Sequence, residues 1–253
     1  MMRIQPIRYG VKLQPYNLSG AILNLRMTET SGDMLDYSGN GYHGRVDGAI
    51  SRGVAMGNGN SGMQLTASGH GVSLDPSTLS PVINAIRTGS YSQSIVIRNM
   101  GWSGAHSPLP FVIWQSSSAG REVTLFADYV QGASGADWVH RAGWDSPSAT
   151  DIGNLYCSYA PSSFDSQTFL LTYVWDDVTR TKSLYRDGVL VASAVLSQDY
   201  TVQSPSRERV QVGGHLNYPG SYQYYGKISD LIIWDRALTD DDVAGLYSQN
   251  GRV

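Results

Sequence analysis

Short apolar or alternating runs, each closed by a cluster of Gly, Ser, Asn or Asp, recur along most of this chain. They fall at 21–27, 92–100, 111–115, 122–129, 168–175, 182–186, 189–196, 209–212 and 227–234. A period of two with turn residues every ~8–12 positions predicts β-strands of a sandwich or barrel. Between two such runs stands Asp187-Gly188, a pair suited to a two-residue hairpin turn in which both residues need positive φ. The run Ile228, Leu231, Ile233, Trp234 is almost continuously apolar, as in a central strand covered on both faces.

Helical signals are scarce. Thr239 sits where an N-cap hydroxyl belongs, followed by Asp240, Asp241 and Asp242, with Val243, Leu246 and Tyr247 on one face and Gly251 as a stop. This predicts one regular helix at the C-terminal end. Residues 80–88 predict a short helical turn inside a loop. Residues 1–17, with Pro6 and Pro15, read as an edge strand or an extended arm, because Pro has no amide to donate. The expected organisation is therefore an arm over 1–17 and one domain over 18–253. Whether the arm lies on its own domain or clasps a neighbouring subunit is open at this stage.

Composition narrows the field. Of 253 residues, 15% are charged and 41% hydrophobic, and a chain of this size buries enough surface to fold without a disulfide or metal. There are 28 Gly and 16 Tyr against 4 Phe. That suits an all-β protein with many turns and half-buried strand faces. Net charge is −3 with no basic stripe, which argues against nucleic acid as a partner. No stretch approaches the ~20 apolar residues of a membrane-spanning helix, and the first ten residues have no apolar core of a secretory signal. A single cysteine, Cys157, excludes an intrachain disulfide. It reads as a small buried hydrophobe on a strand, with no histidine or cation identifiable beside it.

Four stretches, in order, resemble one family. They are Asp36-Tyr37-Ser38-Gly39-Asn40-Gly41-Tyr42-His43-Gly44, the glycine-rich segment 57–74, the paired runs 169–176 and 184–192, and Val212-Gly213-Gly214 with 225–239. Together these resemble the laminin-G-like family of concanavalin-A-like jelly rolls, with its pentraxin relatives. The resemblance implies two stacked antiparallel sheets and a short closing helix. It leaves function open, since this fold hosts lectins, glycosidases, adhesion modules and virion proteins.

Candidate chemistry follows from these residues. Asp36 and Asn40 offer hard oxygens in one turn, and Asp230, which interrupts the closing apolar run, is a third candidate for a calcium site, as many relatives hold calcium near such a turn. The competing reading is that Asp36, Ser38 and Asn40 bond to their own turn amides. His43 reads as a packed or edge histidine. For glycan or partner contacts the candidates are Trp102, Trp144, Tyr218, Tyr222 and Tyr224, with Trp138 as a further loop aromatic. Sugar stacking and packing over the sandwich rim are both open for them.

Catalysis is not expected. Glycosidases of this fold carry a Glu-x-Asp-x-x-Glu strand, but Glu29, Glu122 and Glu208 are the only glutamates, and none has a carboxylate partner at such spacing. Asp176 and Asp177 read as turn residues, and the five histidines are scattered. The expectation is a non-catalytic virion structural, decoration or attachment protein, made in a host cytoplasm. It would meet other virion proteins, copies of itself or glycans. The alternative is a lectin module at a cell surface or outside the cell.

Overall fold

A computed structural model describes residues 20–57, 59–67, 69–99, 110–115, 121–131, 137–142, 155–159, 167–195, 208–214 and 223–249. The strands are β1 (Ala21–Leu25), β2 (Arg45–Asp47), β3 (Ser51–Ala55), β4 (Ser61–Leu65), β5 (Gly71–Leu74), β6 (Tyr91–Asn99), β7 (Phe111–Gln115), β8 (Arg121–Gln131), β9 (Asp137–Ala142), β10 (Leu155–Tyr159), β11 (Thr168–Asp176), β12 (Thr181–Arg186), β13 (Val189–Val195), β14 (Glu208–Val212) and β15 (Gly226–Trp234). Two helices, α1 (Ser80–Thr88) and α2 (Asp240–Gln249), complete the described elements. The arm expected over 1–17 lies outside the described residues.

The strands form two antiparallel sheets. One runs β13-β12-β11-β6-β15-β4-β3, with β1 also on β15, and the other runs β10-β9-β8-β7-β14-β5-β2. The main core lies between them. Ile95 and Ile97 of β6, Phe169, Leu171 and Tyr173 of β11, and Leu231 and Ile233 of β15 meet Val72, Leu74, Phe111, Val210 and Val212 of the other sheet. Alternate residues of the same strands face outward. Val96, Leu170, Val174, Ile232 and Trp234 form a second core with Val243 and Leu246 of α2. Burial on both faces explains why β11 and β15 read as continuous apolar runs rather than alternating ones.

The hairpin between β12 and β13 has Arg186 opposite Val189. Asp187 lies at φ 54° and Gly188 at φ 80°, as a two-residue turn of this hand requires. Residues 80–88 form a nine-residue α-helix, longer than the single turn expected. Val82, Ile83 and Ile86 seat one face of it in the main core, and Pro stands in its first turn, where a missing N–H costs nothing.

Helix α2 starts with a reciprocal cap. The Asp242 amide donates to Thr239 Oγ1 at 3.1 Å, and the Thr239 amide donates to Asp242 Oδ2 at 3.1 Å. This is a capping box with aspartate in the usual glutamate position. Arg236 adds a hydrogen-bonded ion pair to the same oxygen at 2.8 Å, which with the cap holds the Asp242 carboxyl below its ordinary pKa.

Strand β15 changes partner along one edge. Ile228 pairs with Met63 of β4, whereas Leu231 pairs with Leu25 of β1. The exchange falls at a bulge between Ser229 and Ile232. Asp230 occupies it at φ 51°, a left-handed conformation that aspartate tolerates better than most side chains. Its amide donates to the Arg26 carbonyl at 3.4 Å. Asp230 therefore interrupts the apolar run because the backbone there must bend.

Candidate binding site

The turn after β1 is built around one carboxylate. Asp36 is 8% exposed. Its Oδ1 accepts the amides of Asn24 and Ser38, both at 2.9 Å, and its Oδ2 accepts the Ser38 hydroxyl at 2.7 Å and the Tyr42 amide at 3.0 Å. The Asp36 amide in turn donates to His43 Nδ1 at 3.0 Å. That bond makes His43 an acceptor that holds the turn from an otherwise exposed position, with its ring proton on Nε2. Asn40 donates its side-chain amide to the Ile22 carbonyl at 3.0 Å, tying the turn to β1.

This arrangement does not fit a calcium ion. Ca²⁺ takes six to eight oxygens, and the four acceptor positions of Asp36 already face four protons. Asp36 and Leu231 lie directly opposite Leu25 on its two sides. The backbones of Asp36 and the Asp230 region are therefore two strand spacings, about 10 Å, apart. Among the described residues no cluster of three His, Cys, Asp or Glu offers a metal site.

Beside the buried Asp36, its two neighbours point outward. Leu35 and Tyr37 are each 43% exposed. Tyr37 is nonetheless held in three ways. Its amide donates to the Asn24 carbonyl at 2.8 Å, its hydroxyl donates to Glu29 Oε1 at 3.0 Å, and the Arg26 guanidinium sits 4.5 Å from the ring centroid. The bond to Glu29 pushes the Tyr37 phenol above its ordinary pKa, because the carboxylate stabilises the protonated form.

The predicted contact residues fare unevenly. Trp102, Trp144, Tyr218 and Tyr222 lie outside the described residues. Tyr224 is corrected: it is 1% exposed, belongs to the main core, and its ring lies so close over Gly226 that a Cβ there would come within 2.8 Å. A ring in that position closes the sandwich and cannot meet a ligand. Its sequence neighbour Tyr225 is the partly exposed one. Asp176 ends β11, and residues 177–180 form the turn expected of them.

Two features escaped the sequence reading. One is Tyr37, whose only local signal is the alternation of Leu35, Asp36 and Tyr37. The other is a row across the second sheet, in which Cys157 stands opposite His140 and His140 opposite Asp128. A histidine is thus beside the cysteine after all, which only long-range strand pairing reveals.

Two stacked antiparallel sheets closed by a short helix, with a turn-borne rim, define a lectin-type β-sandwich. The family model described as "Concanavalin A-like lectin/glucanases superfamily", of the laminin G type, matches residues 58–244, and the chain belongs to that family. No curated protein matches the sequence.

Among solved structures the chain is similar to the binding domain of botulinum neurotoxin DC in complex with SialylT, with TM-score 0.62 and 17% identity, over 91% of this chain and 52% of that one. The same domain with rat synaptotagmin II gives TM-score 0.61 and 16% identity over 92% and 52%. The Trypanosoma rangeli sialidase in complex with a difluoro-KDN compound gives TM-score 0.61 and 12% identity over 90% and 32%. The chain thus spans about half, or a third, of those proteins, and at such identities the likeness concerns the fold. Among the described residues no helix is long and apolar enough to cross a membrane.

Proposed function

We propose that this domain binds glycans and does not cut them. One observation carries the reading: six of the described aspartates are occupied in holding the fold together. Asp36 organises its turn. Asp47 takes Arg45 at 2.9 Å and the Ser73 hydroxyl. Asp176 caps the turn after β11 through the Val178 amide at 3.0 Å and the Thr179 hydroxyl at 2.7 Å. Asp187 receives the Leu170 amide at 2.8 Å, Asp240 receives the Tyr185 hydroxyl at 2.5 Å, and Asp242 caps α2.

Glycoside hydrolysis needs two carboxyls across a cleft, ~5–5.5 Å apart for retention or ~6.5–9.5 Å for inversion, one of them kept protonated by its surroundings. Asp176 and Asp242 are instead held below the ordinary carboxylate range by hydrogen bonds, the reverse of a general acid. Six aspartates committed in this way, in a family of lectins and glucanases, support recognition. Attachment or decoration on a virus particle is one setting for such a domain; loss of particle stability when the protein is missing would test that setting.

The test of the reading pairs binding with turnover. Labelled oligosaccharides incubated with the protein should be retained on it with no new reducing ends. Product formation that scales with protein concentration would make it an enzyme and end this reading.

A further inference from the structure

We infer that Tyr37, flanked by Leu35, Arg26 and Glu29, is a stacking platform for one neutral pyranose ring; this rests on the glycan-binding reading above. Stability alone does not explain how firmly Tyr37 is held. A surface tyrosine is ordinarily free to change rotamer, and fixing such a side chain costs about 0.5–1.5 kcal/mol. Here the backbone beside it is fixed by the four bonds to Asp36, and the ring is fixed by Glu29 on its hydroxyl and Arg26 over its face. Yet 43% of the residue stays in solvent. An aromatic ring that is both exposed and already ordered makes contact without a further ordering cost, which is what preorganisation means for a binding surface.

The chemistry of the surroundings selects the ligand class. The C–H face of a pyranose is apolar and matches an exposed aromatic ring, while its hydroxyls need polar partners at the ring's edge. Arg26 lies over one face of the Tyr37 ring and donates hydrogen bonds, and the Tyr37 hydroxyl, which gives its own proton to Glu29, can accept one at the ring's edge, so the opposite face is the one offered to a sugar. Leu35, with the same exposure, extends the apolar surface on the same side of the segment. The charges of Arg26 and Glu29 offset each other at this range, so no net field favours an acidic sugar. Size argues against a protein partner. A stable protein interface buries about 800 Å² per side, some 20–30 residues, whereas two exposed side chains with two polar neighbours match a single sugar ring.

The experiment measures binding of immobilised lactose-, cellobiose-, maltose- and chitobiose-terminated oligosaccharides, with sialyllactose alongside. The proteins compared are the unaltered one, Tyr37→Ala, Tyr37→Trp and the double variant Trp102→Ala/Trp144→Ala. The expected result is binding of a neutral sugar that falls about tenfold or more in Tyr37→Ala, the loss typical of a dominant contact. Tyr37→Trp, which keeps an aromatic surface, should restore it. A melting temperature within a few degrees of the unaltered protein shows that the fold survived.

Undiminished binding by Tyr37→Ala, with loss only in the double tryptophan variant, would overturn this site and leave the glycan-binding reading standing. Binding of sialyllactose alone would overturn the neutral class. No binding to any of the sugars by the unaltered protein would overturn the reading and this inference together.

Discussion

Oδ1 of Asp36 accepts the amide proton of Asn24, twelve residues back along the chain, at 2.9 Å. That contact ties the turn to β1, and the remaining three bonds to the same carboxylate shape the turn itself. Asp36→Ala would strand these donors, three of them backbone amides at buried or partly buried sites. Each buried donor left unpaired costs about 1–3 kcal/mol. The expected destabilisation is about 3 kcal/mol or more by urea unfolding, with Asp36→Asn intermediate because its oxygen retains part of the set. A loss under about 1 kcal/mol for Asp36→Ala would show that the turn is held elsewhere.

Because those acceptors already face protons, divalent cations should not support the turn. Melting temperatures measured in calcium and in a chelator should coincide. A fall on chelation that calcium reverses would show that the carboxylate rotates out of its turn to bind metal.

The cap of α2 predicts a helix-terminal effect and an acid limit. Thr239→Ala removes the hydroxyl that receives the Asp242 amide and should cost about 1 kcal/mol. The Asp242 carboxyl is held below its ordinary value, chiefly by the bond from Arg236. A depressed folded-state pKa contributes stability above the unfolded value, near pH 4, and that contribution is lost as pH falls through the folded value. Acid unfolding should therefore begin at a higher pH in Asp242→Asn than in the unaltered protein. Superimposable acid transitions would contradict the assignment.

At the other extreme, burial and the bond to Asp240 push the Tyr185 phenol up to about 12. A raised folded-state pKa means that its stabilisation is complete below the unfolded value of about 10 and is lost as pH rises from there toward 12. Tyr185→Phe should flatten the loss of stability over that interval. Ultraviolet absorbance of phenolate should show one tyrosine titrating late and together with unfolding.

Much of this fold was legible because strand alternation and turn chemistry are local. The hairpin at Asp187-Gly188, the doubly covered β15 and the Thr239 cap all follow from a few adjacent residues. The short strands β2 to β5 were less visible, since glycines such as Gly53, Gly62 and Gly71 dilute their patterns. Pairing between distant strands was not visible at all, so neither the His140–Cys157 register nor the change of partner at Asp230 was readable in advance.

The candidate binding surface was legible only by half. Asp36 stood out as a turn residue, but its exposed neighbour drew no attention because nothing local says that Glu29 and Arg26 converge on Tyr37. Tyr224 misled for the opposite reason: a tyrosine among loop-like residues looks exposed until the core beneath it is known.

The most direct check of the account is backbone-amide chemical-shift mapping during titration with whichever neutral oligosaccharide the panel retains. Saturable shifts concentrated at residues 26–29 and 35–38 are the predicted result. Shifts confined to another part of the sandwich, with those amides unmoved at saturation, would contradict it.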